Sequence, residues 1–139
     1  MTRTTDAALA ALMRFYAAES RYLEEGAGDF SEIAETLDPG CVIYQPASLP
    51  YGGEWRGHAG FEAWMVAFGD AWSSLEVRNP EFVVQEEVVV SRSHVHAVAR
   101  RTNVAVDWPL LQHFRIRNGK IKELRPFYWD TALVVEALR

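Results

Sequence analysis

The sequence contains one cysteine, Cys41, so it can form neither an internal disulfide nor a metal site built from several thiolates. A reducing compartment is compatible, and the role expected of Cys41 is a buried thiol at the start of a strand. No long apolar run is present. Met1 to Tyr16 alternates polar and apolar residues at helical spacing, which excludes a signal peptide or membrane span there and makes the cytoplasm the expected location. There is no surplus of basic charge: the net charge is −5 with both signs interspersed, so neither a nucleic acid nor an anionic membrane is an expected partner. No repeat, linker or low-complexity stretch interrupts the chain, and its 139 residues suit one domain over 1–139.

What is present is a globular composition, 49% hydrophobic and 24% charged, rich in aromatics with five Trp, five Tyr and seven Phe. From an N-cap at Thr5 or Asp6, the positions Leu9, Met13, Tyr16, Ser20 and Leu23 step by three and four, widened by Leu12, Phe15 and Tyr22, and predict a long first helix. Gly26-Ala27-Gly28 breaks it. Asp29 then caps a short second helix with Phe30, Ile33, Ala34 and Leu37 on its apolar side, ended by Asp38-Pro39-Gly40. Cys41 to Gln45 is a strand, and 46–57 is an irregular excursion with at most a brief strand near Trp55. A third helix follows Gly57-His58 with an aromatic face of Phe61, Trp64, Met65, Phe68 and Trp72. Beyond Leu75, β-rich runs at 82–90, 94–106, 110–117 and 121–129 form an antiparallel meander, with turns at Ser91, Asp107 to Pro109 and Asn118-Gly119. A last helix follows Asp130, with Leu133, Val134, Ala137 and Leu138 apolar. The fold class expected is α+β, helices covering one face of a curved, mostly antiparallel sheet.

One strand residue stands out chemically. Asn118-Gly119 supplies the two positive-φ positions of a type I′ turn, so Leu110, Gln112, Phe114 and Ile116 share one face and Leu111, His113, Arg115 and Arg117 the other. The first face is the core face. An amide there loses hydration at roughly 1 to 3 kcal/mol unless it is bonded, so Gln112 meets a partner or lines a cavity.

These segments resemble the nuclear transport factor 2-like superfamily and, within it, the SnoaL-like branch of polyketide cyclase and ketosteroid isomerase relatives. The resemblance covers nearly the whole chain. It is carried by Leu-Asp-Pro-Gly-Cys-Val-Ile-Tyr-Gln-Pro at 37–46, Pro-Tyr-Gly-Gly-Glu-Trp-Arg-Gly-His at 50–58, the Phe-Arg-Ile-Arg-Asn-Gly-Lys-Ile-Lys-Glu hairpin at 114–123 and Phe-Tyr-Trp-Asp at 127–130. It implies a cone-shaped, cofactor-free, homodimeric domain that binds a small apolar molecule bearing oxygen, of polyketide or steroid type, with the sheet face of Arg115 and Arg117 as the dimer contact. It also implies that Gln45, just before Pro46, stands where the isomerases carry a carboxylate base. Gln112 then stands where the isomerases' neutral carboxylic acid and the cyclases' aspartate fall. Amides cannot exchange protons near neutral pH, but they can donate to a carbonyl or a developing oxyanion.

The proton carrier must then be a tyrosine or histidine. Candidates beside Gln45 and Gln112 are Tyr16 and His113, with Tyr44, Tyr51, His58, Trp64, Phe68, Arg101, Leu124 and Tyr128 around the ligand. Each has a plainer alternative. His58 fixes a loop at the mouth of the third helix, His113 lies on a solvated or subunit-contact face, and Trp64 and Phe68 are core. Arg100 and Arg101 sit where apolar parity switches, so one of them faces inward or a bulge intervenes. His94 and His96 suit metal ligation, but no third ligand lies at supporting spacing and no metal is expected. A dehydratase needs His94, His96 or His113 inside, and a non-catalytic binding or dimerisation module needs the cavity closed by Trp64, Phe68 and Tyr128.

Overall fold

The computed structural model describes residues 2–24 and 29–139. Its elements are α1 (Thr2–Glu24), α2 (Ser31–Glu35), β1 (Leu37–Gln45), β2 (Gly53–Arg56), α3 (Gly57–Ala71), β3 (Trp72–Gln85), β4 (Val88–Ala99), β5 (Ala105–Arg117), β6 (Lys120–Tyr128) and α4 (Thr131–Ala137). The six strands form one sheet in the order β2-β1-β6-β5-β4-β3. Every pair is antiparallel except β1 with β6. The expected α+β architecture is therefore present.

The helical stripe of α1 is centred one residue away from the expected one. Ala8, Ala11, Leu12, Phe15, Ala18 and Tyr22 are buried, whereas Met13 and Leu23 are exposed. The glycine break at 26–28 lies outside the described residues. Asp29 is not the cap of α2: the N-cap is Phe30, with no side-chain cap bond, and Asp29 one residue earlier accepts from the Ser31 N–H through Oδ1 at 2.9 Å. Asp38-Pro39-Gly40 does not end the helix in a turn. It bulges within β1, where the register against β6 jumps between Leu37 and Val42, and Asp38 Oδ2 accepts from the Gly40 N–H.

The meander has four strands, as expected, but two of its turns lie elsewhere. The first is at Glu86-Glu87, which joins Gln85 to Val88, and the second spans 100–104. Ser91 and Asp107 to Pro109 are inside strands. The parity switch at Arg100 and Arg101 is thus a chain reversal: Arg100 donates to the Gly69 and Trp72 carbonyls, and Arg101 is exposed. Pro109 is tolerated in β5 because its carbonyl faces the end of β6, accepting from the Trp129 N–H at 3.2 Å. The absent N–H would face the same way, so the ladder to β4 loses nothing. The Asn118-Gly119 turn is as expected, with φ of 51° and 75° and Arg117 opposite Lys120.

The core lies between α1, α3 and the inward sheet face. There Phe15 meets Phe61 edge-on at 5.7 Å, and Trp108 stacks on Tyr128 at 5.5 Å. Inward positions of β4 are small (Ser91, Ser93, Ala97, Ala99), which leaves room for the aromatics facing them.

Two substitutions test this backbone. A Cβ on Gly52 would sit 2.3 Å from the Pro46 carbonyl oxygen, so Gly52→Ala should lose about 1 to 3 kcal/mol in urea unfolding. Glu86 holds φ at 53°, so Glu86→Gly should gain about 0.5 to 1 kcal/mol in the same measurement.

Candidate functional site

The residues with chemistry to offer gather on the inner face of the sheet. Register places Phe82 beside Ser91, Ser91 beside Gln112 and Gln112 beside Pro126 in one cross-strand row; Ser93, Leu110 and Tyr128 form the next. Gln112 is half-buried on the inward parity, as the hairpin requires. Gln45, 7% exposed, ends β1 on the same side, following inward Cys41 and Ile43.

A hydrogen-bonded chain runs through this face. The Trp72 indole N–H donates to Tyr51 Oη at 3.1 Å, the Tyr51 and Tyr128 hydroxyls are 2.8 Å apart, and the Tyr128 hydroxyl donates to Gln45 Oε1 at 3.4 Å. Since an indole can only donate and Tyr128 gives its proton to Gln45, Tyr51 must donate to Tyr128. Tyr51 reaches this position because the 46–52 excursion folds inward through turns in which Leu49 N–H bonds Pro46 O and Gly52 N–H bonds Leu49 O. Burial raises the pKa of both phenols, and the two hydroxyls face each other, so both stay protonated hydrogen-bonding groups rather than proton carriers.

Above the row, Tyr16 packs edge-on against Phe114 at 6.1 Å and beside Phe82 at 6.5 Å, with its hydroxyl toward Ser91. Its pKa is raised, first by burial and then by the negative field of Glu19. Glu19 is a titratable residue of this layer that the apolar pattern of α1 did not single out. It lies four residues after Phe15 and three before Tyr22, inside the buried stripe of α1, and burial pushes its carboxyl up to about 7. Counting helical period from Leu12, Phe15 and Tyr22 rather than from Met13 would have found it.

Tyr16, Glu19 and Tyr128 each keep some accessible surface although protein surrounds them on nearly every side, and Gln112 does so on an inward strand position. Among the described residues, the buried Ser91 Oγ, Ser93 Oγ, Trp64 Nε1 and Trp108 Nε1 have no hydrogen-bond partner, each at a cost of about 1 to 3 kcal/mol.

Other expected site residues lie elsewhere. Tyr44 points to the outer face, where the Arg125 guanidinium covers its ring at 3.9 Å. His113 is also on the outer face, opposite Arg125. His58 Nε2–H donates to the Leu37 carbonyl at 3.0 Å, tying α3 to β1 in the plainer role considered for it. Arg101 is exposed in the β4–β5 turn, away from the inner face. Leu124 is buried opposite Phe114. Trp64 and Phe68 pack at 5.0 Å, and Phe68 meets Tyr51 edge-on at 5.0 Å, so both wall the site. His94 and His96 face outward, His96 Nδ1–H donating to Asp107 Oδ1 at 2.8 Å. Among the described residues no group of three or more His, Cys, Asp and Glu is arranged to hold a metal, and no helix is long and apolar enough to cross a membrane. A surface hollow of about 390 Å³ involving Ser48, Thr131, Val135 and Arg139 shares no residue with this constellation.

Residues 12–124 match the family model of the SnoaL-like domain. An NTF2-like protein from Burkholderia xenovorans LB400 superposes with a TM-score of 0.86 at 22% identity over 97% of this chain and 98% of its own. TerC, crystallised with polyporic acid, gives 0.79 at 18% identity over 95% and 98%. A proposed polyketide cyclase from Xanthomonas campestris pv. campestris gives 0.76 at 17% over 98% and 99%. At such identities the likeness to these structures shows the fold alone. No curated protein matches the chain.

The Glu19 carboxyl holds a proton in the folded protein that the unfolded chain releases. Its contribution to stability is full below about 4.5, the ordinary glutamate value, and is lost as pH rises through about 7. Glu19→Gln should therefore be more stable than wild type at pH 8 by up to about 3 kcal/mol, with that gain absent at pH 4.5. Urea midpoints at the two pH values measure the difference; an equal gap at both would contradict the burial of this group.

Proposed function

Because the chain belongs to the SnoaL-like family of the NTF2-like superfamily, we propose that it binds a small, largely apolar, oxygen-bearing molecule of polyketide or steroid type on its inner sheet face and acts on it as a cofactor-free cyclase or isomerase. The observation that carries this reading is the inward, half-buried amide of Gln112 beside the unpartnered Ser91 hydroxyl, close to the end of the Trp72–Tyr51–Tyr128–Gln45 chain. Amides, hydroxyls and indole N–H groups set in an aromatic wall suit a planar molecule with one or two carbonyl oxygens. Gln112 and Gln45 orient the carbonyl, and Tyr16 donates to the charge that develops on it. TerC, which shares the fold, was crystallised with polyporic acid, and that compound supplies a first ligand to test.

A dehydratase reading loses its support, since His94, His96 and His113 all face outward. A binding module without catalysis keeps the same pocket and differs only in the fate of the ligand. The working unit we propose is a homodimer joined through the outer sheet face, where Leu111 and Phe127 lie opposite each other at 44% and 55% exposure beside Arg115 and Arg125. Cytoplasmic location fits the single reduced cysteine, whose thiol burial pushes up to about 11.

Titration with polyporic acid, followed by quenching of tryptophan fluorescence, tests the binding reading. Saturable quenching is expected, and Gln112→Leu should weaken it about five- to tenfold, the worth of one neutral hydrogen bond. A Gln112→Leu protein that binds equally well and unfolds at higher urea would show the amide to be incidental.

A further inference from the structure

Resting on the reading of the inner layer as a small-molecule site, we propose that Glu19 is the catalytic base of that site, carried on α1 instead of on the strands, and that its substrate is a ketone with an acidic C–H beside the carbonyl. The placement comes from helical geometry. At 100° per residue, Glu19 falls between Phe15 and Leu12 around α1, both 1% exposed or less, so it lies on the inward side of the helix, toward one edge of the buried stripe, where it keeps some accessible surface. Among the described residues it makes no hydrogen bond and no ion pair. A carboxyl on the core stripe with no partner is costly to keep for structure alone, whereas a base must keep its lone pairs free.

Its surroundings are neutral on every side the structure describes. Tyr16, one turn earlier on α1, is the titratable group whose field it shares. Around Tyr16 the facing strands contribute Phe82 from β3, Ser91 from β4 and Phe114 from β5, none of them charged. Glu32 of α2 is held by Arg21 at the surface, Glu62 of α3 lies toward Tyr22, and Lys122 of β6 is held by Asp38. Burial thus acts on Glu19 without a countercharge and leaves it near neutrality as a proton acceptor.

The step balances within the site. The C–H bond beside the carbonyl breaks, its proton passes to a Glu19 carboxylate oxygen, and the electron pair moves into the new C=C bond while the carbonyl oxygen gains the negative charge. Tyr16 O–H and the Gln112 amide N–H donate to that oxygen. Return of a proton from Glu19 to the same carbon regenerates the ketone, and where a C=C adjoins that carbon, return to the far end of the resulting dienolate shifts the double bond and isomerises the ketone.

The experiment is hydrogen–deuterium exchange of 2-tetralone in D₂O, followed by proton NMR, with binding of 2-tetralone followed separately by tryptophan fluorescence. Wild-type protein should accelerate loss of the C1 protons, with a rate that rises with pH through about 7 and then levels off as Glu19 becomes ionised. Glu19→Gln should lower the protein-dependent rate about a hundredfold or more while leaving the 2-tetralone dissociation constant within threefold. Glu19→Asp, which keeps a carboxylate one methylene back, should recover part of the rate. Binding without accelerated exchange, or exchange by Glu19→Gln at the wild-type rate, overturns Glu19 as the base and leaves the binding site standing. Wild-type protein that does not bind 2-tetralone at all overturns the pocket reading and this one together.

Discussion

The site depends on the two-residue turn at Asn118-Gly119 more than on any residue inside it. That turn fixes Arg117 opposite Lys120, and a register shift between Arg115 and Ile116 then brings Gln112 opposite Pro126, with Ser91 on its other side. Side chains alternate along a strand, so a slip of one residue would send Gln112 outward and bring His113 inward among Phe114's neighbours. It would also turn Phe114 and Ile116 into water, which is why the apolar pattern and the turn chemistry enforce the same register. The amide is held inside by the burial energy of the residues on either side of it.

Charge is distributed in the same two-sided way. Ion pairs of Arg78 with Glu76, Arg115 and Arg125 with Glu123, and His96 with Asp107 decorate the outer face or the rim, where exposure keeps each worth little. The inner face carries dipoles instead: two glutamines, two serines, three tyrosines and indole N–H groups. Glu19 is the exception, and the absence of a countercharge in its surroundings distinguishes it from the carboxylates outside.

Much of this was legible in the chain. Alternation in β5, the Asn-Gly turn, the Asp130 cap, whose Oδ1 accepts from Leu133 N–H at 3.1 Å, and the aromatic face of α3 are local signals, and each formed the expected element. Turns without local signals were missed. Glu86-Glu87 has neither glycine nor asparagine and adopts a positive φ only because flanking valines pair across it. Pro109 resembles a strand breaker until the end of β6 is placed beside it. Inward-facing Gln112 followed from parity and Gln45 from the resemblance, while the hydrogen bond between the Tyr51 and Tyr128 hydroxyls on the same face was not foreseen. Tyr44, His113 and Arg101 did not join them, because strand parity and a chain reversal place them on the far side. Glu19 was lost to a helical stripe centred one residue off, an error that matters little for a fold and a great deal for a site.

The chain of hydroxyls has a built-in polarity. Trp72 can only donate to Tyr51, and Tyr128 gives its proton to Gln45 Oε1, so the protons of Tyr51 and Tyr128 both point toward Gln45 and occupy one lone pair of its carboxamide oxygen. The Gln45 NH₂ is left to donate. A carbonyl oxygen can accept from it with every bond of the chain in place. The amide that meets a ligand is thereby steadied by an indole two hydroxyls away, in an element of the fold remote from the ligand itself.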